Sequence, residues 1–295
     1  MHAELSDLFD QQGGVATTAQ ILRITSRRYL RVLTDCTAVE RIWHGVYSLG
    51  PADDDRRLRG LDLSCGKQVA VCLGTAARAY GFDTEETGVL HVLNPRDHQL
   101  RPAPGLVIHR RDGAPLSTVS GRSATAAAWT AIEVARTLPS PRALATLDAA
   151  LRSRHCDTGA LSDALAAQSG RRGIVTVRHL LPLADGRSES PMESEARLVR
   201  IDGGLPEPAL QHEVVDANGK LWRLDFAWPE RLVAAEYDSD RWHTGADALQ
   251  HDRRKQAALQ DLGWTVVPIV RDDVRRRQRE LVQRISAHLD RASVA

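Results

Sequence analysis

The residues of this sequence best suited to chemistry are three carboxylates in its last quarter. Asp225, Glu236 and Asp238 follow the pattern Asp-x10-Glu-x-Asp, with the first acid in one apolar run and the others in the next. Residues two apart on a strand point to one face, so Glu236 and Asp238 are expected to converge with Asp225 on a neighbouring strand. Three or four such oxygen ligands would suit Mg²⁺, which could activate water for in-line attack on a phosphate.

Two more residues could complete such a site. Glu195 is expected in the first turn of a helix, and His243, five residues after Asp238, is a candidate proton-transfer group. The alternative interpretation is that the acids are ordinary strand-edge residues that pair with three nearby arginines, Arg223, Arg241 and Arg254. The pattern leaves both interpretations open.

A sheet and helices are needed to position these side chains, and the sequence predicts both in residues 185–295. A helix is expected from about Ser190, then strands over LWRLDFAW and LVAAEYDSD, a long helix over about 246–262 and a strand over WTVVPIV. The order αββαβ around a carboxylate centre is the core of restriction-endonuclease-like folds. This region is therefore expected to be an α/β domain of that kind.

A second set of candidate functional residues lies near the start of the chain. Ser26 is expected to cap a helix on which Arg27, Arg28 and Arg31 share one arc of about 100°. The other side is expected to pack, and it carries Tyr29, Leu30, Val32 and Leu33. Arginines presented in this way can fork onto guanine edges or contact phosphates in the major groove of double-stranded DNA.

Residues 1–50 are therefore predicted to form a winged helix-turn-helix. A short first helix stops at a Gly-Gly pair, and Thr17 with Gln20 matches a capping box that starts a second helix. The stretch AVERIWHGVYSLG predicts a hairpin with its turn at His44, which would be the wing. His44 could contact a phosphate, the alternative being a plain turn residue. DNA binding of this kind requires no cofactor.

The middle of the chain, residues 51–184, is predicted to be a mixed α/β domain. It starts with a polar stretch, Pro51–Arg59, that is expected to be a linker or an exposed helix start. Apolar residues then recur at helical spacing on either side of the turn LPSPR, and these indicate core packing rather than a cofactor site. No role follows from this pattern. The chain as a whole is expected to be α+β.

Composition limits the function classes. The 295 residues are 42% hydrophobic and 26% charged, and no apolar run is long enough to cross a membrane. The N-terminal stretch carries acids where a secretory signal has basic residues, so a cytoplasmic protein is expected. The four cysteines match neither a zinc site nor a disulfide framework. With a net charge of +1, any DNA contact must depend on a local basic surface.

A family resemblance extends over nearly the whole chain. The stretches VATTAQILRITSRRYLRVL and RIWHGVYSL resemble the winged-helix domain of AbiEi-type antitoxins of type IV toxin–antitoxin pairs, and TAIEVARTL with ALATLDAALR is similar to the region that follows it. The stretches ESEARL, RLDFAWPE, AAEYDSDRWH and GWTVVPI resemble a Vsr-like endonuclease domain of the PD-(D/E)XK class. This chain departs from that pattern in having Asp238-Ser239 where many relatives have Asp-Gly, and no lysine at the usual third catalytic position.

The resemblance implies a transcriptional autorepressor. Antitoxins of this kind bind repeats upstream of their own operon and counter a nucleotidyltransferase-like toxin without a stable complex. Two alternatives remain: a Mg²⁺-dependent endonuclease that the winged helix delivers to DNA, and an inactive nuclease fold used for protein contact or dimerisation. The sequence sets neither the operator nor the oligomeric state.

Overall fold

The computed structural model describes residues 3–82, 88–110, 113–238 and 246–292, which form an α+β structure with small sheets. The chain divides into two compact units, Met1–Tyr80 with Thr84–Thr130 and Gly81–Asp83 with Ala131–Ala295. These units do not divide at residues 50 and 184, because helices pack across both positions inside a unit. The three independent domains expected from the sequence stay a prediction. None of the described helices has the length and apolar character needed to span a membrane.

The first unit begins with three helices and a three-stranded sheet. In chain order these elements are α1 (Ala3–Gln11), β1 (Val15–Thr17), α2 (Thr18–Ile24), α3 (Arg27–Asp35), β2 (Val39–Trp43) and β3 (Val46–Leu49). The sheet order is β1-β3-β2, and all pairs are antiparallel. Leu5, Phe9, Ile21, Leu30 and Leu33 form the core between the helices and the sheet.

Local hydrogen bonds explain where these helices begin. The Gln20 backbone N–H donates to the Thr17 hydroxyl, and the Gln20 side chain accepts from the Thr17 N–H, so the predicted capping box is confirmed. The Ser26 hydroxyl accepts from the Tyr29 N–H at 3.2 Å, which confirms Ser26 as the cap of α3. Gly45 has a φ of +73° in the β2–β3 turn, where a side chain would be strained.

Helix α4 (Asp54–Cys65) packs on this sheet, so the stretch that starts at Pro51 is the beginning of a docked helix. The Trp43 indole N–H donates to the Arg57 carbonyl at 2.7 Å, and the Arg57 guanidinium lies over the Trp43 ring. Gly60 allows the close approach, because a Cβ there would lie 2.8 Å from the Ile42 Cδ1 atom.

The rest of the first unit consists of one helix and two strand pairs. These are α5 (Leu73–Ala79), the parallel pair β4 (Leu90–Leu93) and β5 (Leu106–His109), and the antiparallel pair β6 (Leu116–Val119) and β7 (Arg122–Thr125). Val71 forms single bridges to Val92 and Ala124, which connects the two pairs.

The second unit opens with helices. They are α6 (Ala127–Ala135), which spans the boundary between the units, α7 (Ser140–Arg152), α8 (Thr158–Ala167), α9 (Ile174–Leu180) and α10 (Pro191–Asp202). Helices α7 and α10 pack together around a buried ion pair, with Arg197 Nη2 2.5 Å from Asp148 Oδ2. Asp148 also accepts the Asp185 N–H at 2.8 Å. This shared buried pair joins the two sides of the expected boundary at 184.

A four-stranded sheet forms the rest of the second unit. Its elements are β8 (Ala209–Val215), β9 (Leu221–Trp228), β10 (Val233–Tyr237), α11 (Ala246–Asp261), β11 (Thr265–Ile269), α12 (Arg271–Arg275) and α13 (Gln278–Arg291). The strand order is β11-β10-β9-β8, with only the β10–β11 pair parallel. One apolar cluster joins the sheet to α10, α12 and α13, and another joins it to Leu259 of α11.

Two details differ from the expected order of elements. Three strands rather than two lie between α10 and α11, because Ala209–Val215 pairs with β9 as the edge strand β8. Strand β10 ends at Tyr237, so Asp238 lies outside it and is exposed; its N–H donates to the Ile269 carbonyl at 2.8 Å. The predicted strand through Asp238 was therefore too long.

Candidate nucleic-acid interface and carboxylate site

Helix α3 exposes three arginines on one face. Arg27, Arg28 and Arg31 are exposed and make no ion pair within the described part of the chain, while Leu30 and Leu33 are buried on the other side. Val32 was predicted to pack but is 53% exposed, because it follows Arg28 by one turn and lies at the edge of the same face. The outward face of α3 is thus cationic with one apolar side chain.

The β2–β3 hairpin carries a second polar feature. Arg41 Nη2 lies 3.0 Å from His44 Nδ1, and both residues are exposed. A guanidinium only donates hydrogen bonds, so Arg41 is the donor in this contact. The hairpin can therefore offer two donors to an anion, of which the sequence pattern indicated only His44. The turn is fixed by the Thr18 N–H, which donates to the Gly45 carbonyl at 2.8 Å.

The charges of residues 1–50 are separated rather than absent. This stretch has five arginines and five acidic residues. Three of the acids, Glu4, Asp7 and Asp10, lie exposed on α1, whereas the arginines concentrate on α3 and the hairpin. A near-neutral segment therefore has a basic face, as the net charge of the chain requires for DNA contact.

In the second unit, Asp225 and Glu236 are neighbours on adjacent strands. Ala235 pairs with Phe226 in the β9–β10 register, and Glu236 and Asp225 lie one residue further along. The Asp225 Oδ2 atom accepts the Tyr237 N–H at 2.9 Å. The predicted convergence of these two acids across neighbouring strands is confirmed by this register.

Lys255 of α11 enters the same cluster. Its ammonium forms an ion pair with Glu236 and donates to the Arg223 carbonyl at 2.6 Å. Arg223 itself pairs with Glu189, and Arg254 is exposed, so neither of these two arginines pairs with Asp225 or Glu236 among the described residues, while Arg241 lies outside them. A lysine is thus present at the acids, supplied by the helix and not by the strand.

Glu193 of α10 reaches the cluster through Gln211. The Gln211 amide donates to Glu193 Oε2 at 2.8 Å and also hydrogen-bonds Asp225. Gln211 has a φ of +51°, a left-handed conformation that is costly for a residue with a side chain. Side chains from α10, β8, β9, β10 and α11 therefore meet here.

The other predicted members of this site lie elsewhere. Glu195 is buried, with Arg142 at 3.3 Å and Arg275 donating to both of its oxygens. It follows Glu193 by two residues, which on a helix is a rotation of about 200°, so the two glutamates point to opposite sides of α10. Asp238 is exposed beyond the end of β10. His243 lies outside the described residues. Glu193, and not Glu195, is the glutamate of α10 that meets Asp225.

Three carboxyl groups of the cluster are electrostatically perturbed. Burial is the largest cause that raises the pKa of Glu193, and the neighbouring Asp225 raises it further. Burial also raises the pKa of Asp225, although the Tyr237 N–H that it accepts lowers it. The pKa of Glu236 is likewise raised by burial, although Lys255 lowers it. Carboxyls with raised pKa values in one cluster are a feature of functional sites.

Asp225, Glu236 and Asp238 were candidate ligands for Mg²⁺, but the side chains in the described ranges do not form that three-acid set. No group of three or more histidine, cysteine, aspartate or glutamate side chains there is placed to hold a metal ion. The Lys255 ammonium forms an ion pair with the Glu236 carboxylate, and the Gln211 amide bridges Glu193 and Asp225. The described arrangement does not fit a metal bound by these three acids.

Two of the residues found only in the structure had signals in the sequence. Ser190 caps α10, and its hydroxyl oxygen accepts the Glu193 backbone N–H at 3.2 Å. Glu193 is therefore the third residue after the cap, in the first turn of the helix. Lys255 is one of only three lysines in a chain rich in arginine. Gln211 had no such signal, because its role depends on a left-handed conformation in an edge strand.

Comparison with known proteins identifies the middle of the chain. Residues 69–183 match the AbiEi antitoxin C-terminal domain. The chain is also 54% identical over 270 residues to the uncharacterized proteins MT2308 and Rv2248 from two strains of Mycobacterium tuberculosis, covering 92% of this chain and 99% of each relative. The chain therefore belongs to the same family as these mycobacterial proteins, and it carries an AbiEi antitoxin C-terminal domain that supports an antitoxin role in a toxin–antitoxin system.

Proposed function

We propose that this protein is a DNA-binding antitoxin that represses its own operon, as part of a type IV toxin–antitoxin pair. The observation that carries the proposal is the face of α3, where Arg27, Arg28 and Arg31 are exposed and have no ion-pair partner among the described residues. The AbiEi antitoxin domain supports the antitoxin part. No cofactor is needed for this activity.

The arrangement of residues 1–50 supports a winged helix-turn-helix. Helix α2 leads through a short connection into α3, and the β2–β3 hairpin follows at once. In such a motif the second helix enters the major groove and the hairpin lies along the neighbouring backbone. Ser26 fixes the start of α3 by accepting the Tyr29 N–H, and its own exposed O–H stays available to donate to a DNA phosphate. His44 and Arg41 would contact phosphates from the hairpin.

The antitoxin part of the proposal concerns a toxin encoded next to this gene. We expect a nucleotidyltransferase-like toxin that the protein counters without forming a stable complex. Co-expression tests this: the protein is expected to restore growth to cells that make the toxin, while the toxin fails to co-purify with it. Absence of growth rescue would contradict the antitoxin role.

DNA binding is tested with the upstream region of the gene in a band-shift titration. Replacing Arg27, Arg28 and Arg31 with alanine should weaken binding about a hundredfold, at roughly 1 kcal/mol for each arginine. The matched control replaces Arg271, Arg277 and Arg279, three exposed arginines of the second unit, with alanine. The control should bind like the wild type. Equal losses in the two triple variants would contradict docking through α3.

A second candidate function is DNA cleavage in the second unit, with the winged helix delivering the substrate. The perturbed carboxyls of Glu193, Asp225 and Glu236 beside Lys255 favour it over a purely structural fold. The acids as described do not make the expected metal set, so no cleavage step is derived. Strand scission that depends on a divalent ion and disappears in Asp225→Asn would establish this activity.

A further inference from the structure

One apolar side chain interrupts the basic face of α3. Val32 is 53% exposed, and on the helix surface it adjoins Arg28 four residues before it and Asp35 three residues after it. The exposed residues of this helix are Arg27, Arg28, Arg31, Val32 and Asp35. Val32 therefore belongs to the surface that the proposed function presents to DNA.

Valine is a poor choice for this position if the position is merely solvated. A β-branched residue lowers helix stability relative to alanine or arginine, and an exposed valine gains nothing from burial. The Ser26 cap and the buried Leu30 and Leu33 stabilise α3, whereas the exposed Val32 adds neither a cap nor buried area. What distinguishes Val32 from an ordinary exposed valine is its place beside Arg28 on the face proposed to meet DNA, where it is available for an apolar contact.

The major groove offers one apolar feature that such a residue can contact. Thymine presents its 5-methyl group there, and the other three bases present only polar edges. About 90% of valine residues in helices adopt the same χ1 rotamer. The methyl groups of Val32 are therefore already fixed, and DNA binding costs little further side-chain entropy. We propose that Val32 reads the 5-methyl group of a thymine in the DNA target. This inference rests on the proposed function and adds a specificity determinant to it.

The position of that thymine follows from helix geometry. The Cβ atoms of Arg28 and Val32 are separated by about 6 Å, as for any residues four apart on a helix. Successive bases are about 3.4 Å apart along a strand. The thymine therefore lies within one or two base pairs of the group that Arg28 contacts.

The test uses DNA that differs only in this methyl group. The upstream region of the gene is amplified with either dTTP or dUTP, and full-length protein is titrated onto both in band-shift experiments with unlabelled competitor. Wild type should bind the uracil DNA about fourfold more weakly for each α3 that docks, as expected for loss of one buried methyl group. Val32→Ala should bind both DNAs equally, with the affinity that wild type has for the uracil DNA.

Matched controls separate the possible outcomes. Val175→Ala removes a valine that is 58% exposed on α9 in the second unit, and it should keep the wild-type preference for thymine. Changes in DNA shape caused by uracil act on all variants alike, so the comparison cancels them. The proposed contact between Val32 and a thymine methyl group would be overturned if Val32→Ala keeps the wild-type preference for thymine DNA over uracil DNA. It would also be overturned if the wild type has no such preference. A wild type that shifts neither DNA would instead contradict the proposed function, and this inference with it.

Discussion

At the residue scale, the carboxylate cluster of the second unit is held together against its own electrostatics. Glu193, Asp225 and Glu236 have raised pKa values because they are partly buried, and Glu193 and Asp225 share the Gln211 amide. Gln211 itself is in a left-handed conformation. Groups that destabilise the fold in this way persist where the arrangement has a use.

This electrostatic cost predicts that Asp225→Asn stabilises the protein. An acid whose pKa is raised by folding binds more protons in the folded state, so the free energy of unfolding falls as the pH rises through the interval between the ordinary and the raised pKa. At about pH 7 the substitution should increase the free energy of unfolding by about 1 kcal/mol. The gain in the free energy of unfolding should shrink as the pH is lowered toward about 4. Urea denaturation of both proteins at about pH 7 and about pH 4 measures this change.

Asp216→Asn is the matched control and should have the opposite sign. Asp216 is partly exposed, and the Trp222 indole N–H that it accepts at 2.8 Å is the largest cause that lowers its pKa. A lowered pKa contributes stability above the ordinary value that is lost as the pH falls. An Asp225→Asn protein that is less stable than the wild type at neutral pH would contradict the account of the cluster.

Individual residues were predictable only where local geometry was regular. Asp225 and Glu236 were expected on neighbouring strands, and the β9–β10 register confirms it. Glu195 was chosen over Glu193 because the phase of α10 depends on how the helix packs, and Val32 was assigned to the wrong face because it lies at the edge between faces. Lys255 is far from the acids in sequence, so only the packing of α11 on the sheet reveals it.

At the element scale, the docking of α4 on the three-stranded sheet connects the N-terminal helices to the rest of the first unit. Gly60 permits the approach to Ile42, and Arg57 reaches the Gly105 carbonyl at 2.8 Å beyond the helix. A helix that looked like a polar linker in the sequence is therefore part of the support for the proposed DNA-binding elements.

Gly60→Ala should destabilise this docking. Its Cβ would lie 2.8 Å from Ile42 Cδ1 and 3.1 Å from Val46 Cγ1, so these side chains or the helix must shift, at about 1–3 kcal/mol. Gly74→Ala in α5 is the matched control, since its Cβ meets only His91 at 4.0 Å and gains helix propensity. Thermal unfolding should show a loss for the first and none for the second. A neutral Gly60→Ala would contradict the docked position of α4.

Elements with a clear pattern were predictable and short edge elements were not. The α1–α3 helices and the hairpin turn at His44 follow from capping residues and alternation. Strand β1 has three residues and β8 lies at a sheet edge with half its residues partly exposed, so neither has a strong apolar alternation. Both gain their stability from the neighbouring strand rather than from their own sequence.

At the scale of the whole molecule, the net charge of +1 limits how the protein can bind DNA. Long-range attraction is weak, and affinity must come from the local face of α3 and its hairpin. The chain divides into two compact units, and α4 and the Asp148–Arg197 pair carry packing across residues 50 and 184, where the boundaries of independent domains stay a prediction. Such tertiary contacts between distant segments have no signature in local sequence.

The charge distribution predicts a modest salt dependence. Three arginines on phosphates give a slope of about −3 for the logarithm of affinity against the logarithm of salt concentration, and the hairpin adds about −1 or −2. Removing Arg27, Arg28 and Arg31 together should make the slope shallower by about 3. Fluorescence anisotropy over a series of salt concentrations measures it. An unchanged slope in the triple variant would place the contacts on another surface.

The central claim is that the protein binds its upstream DNA as a regulator. The most direct measurement is one incubation of the full-length protein with that DNA, with and without Mg²⁺, read for both band shift and strand scission. We predict a shift of equal strength in both conditions and intact DNA in both. Absence of a shift would contradict DNA binding, and Mg²⁺-dependent scission would show instead an enzyme whose N-terminal elements deliver the substrate.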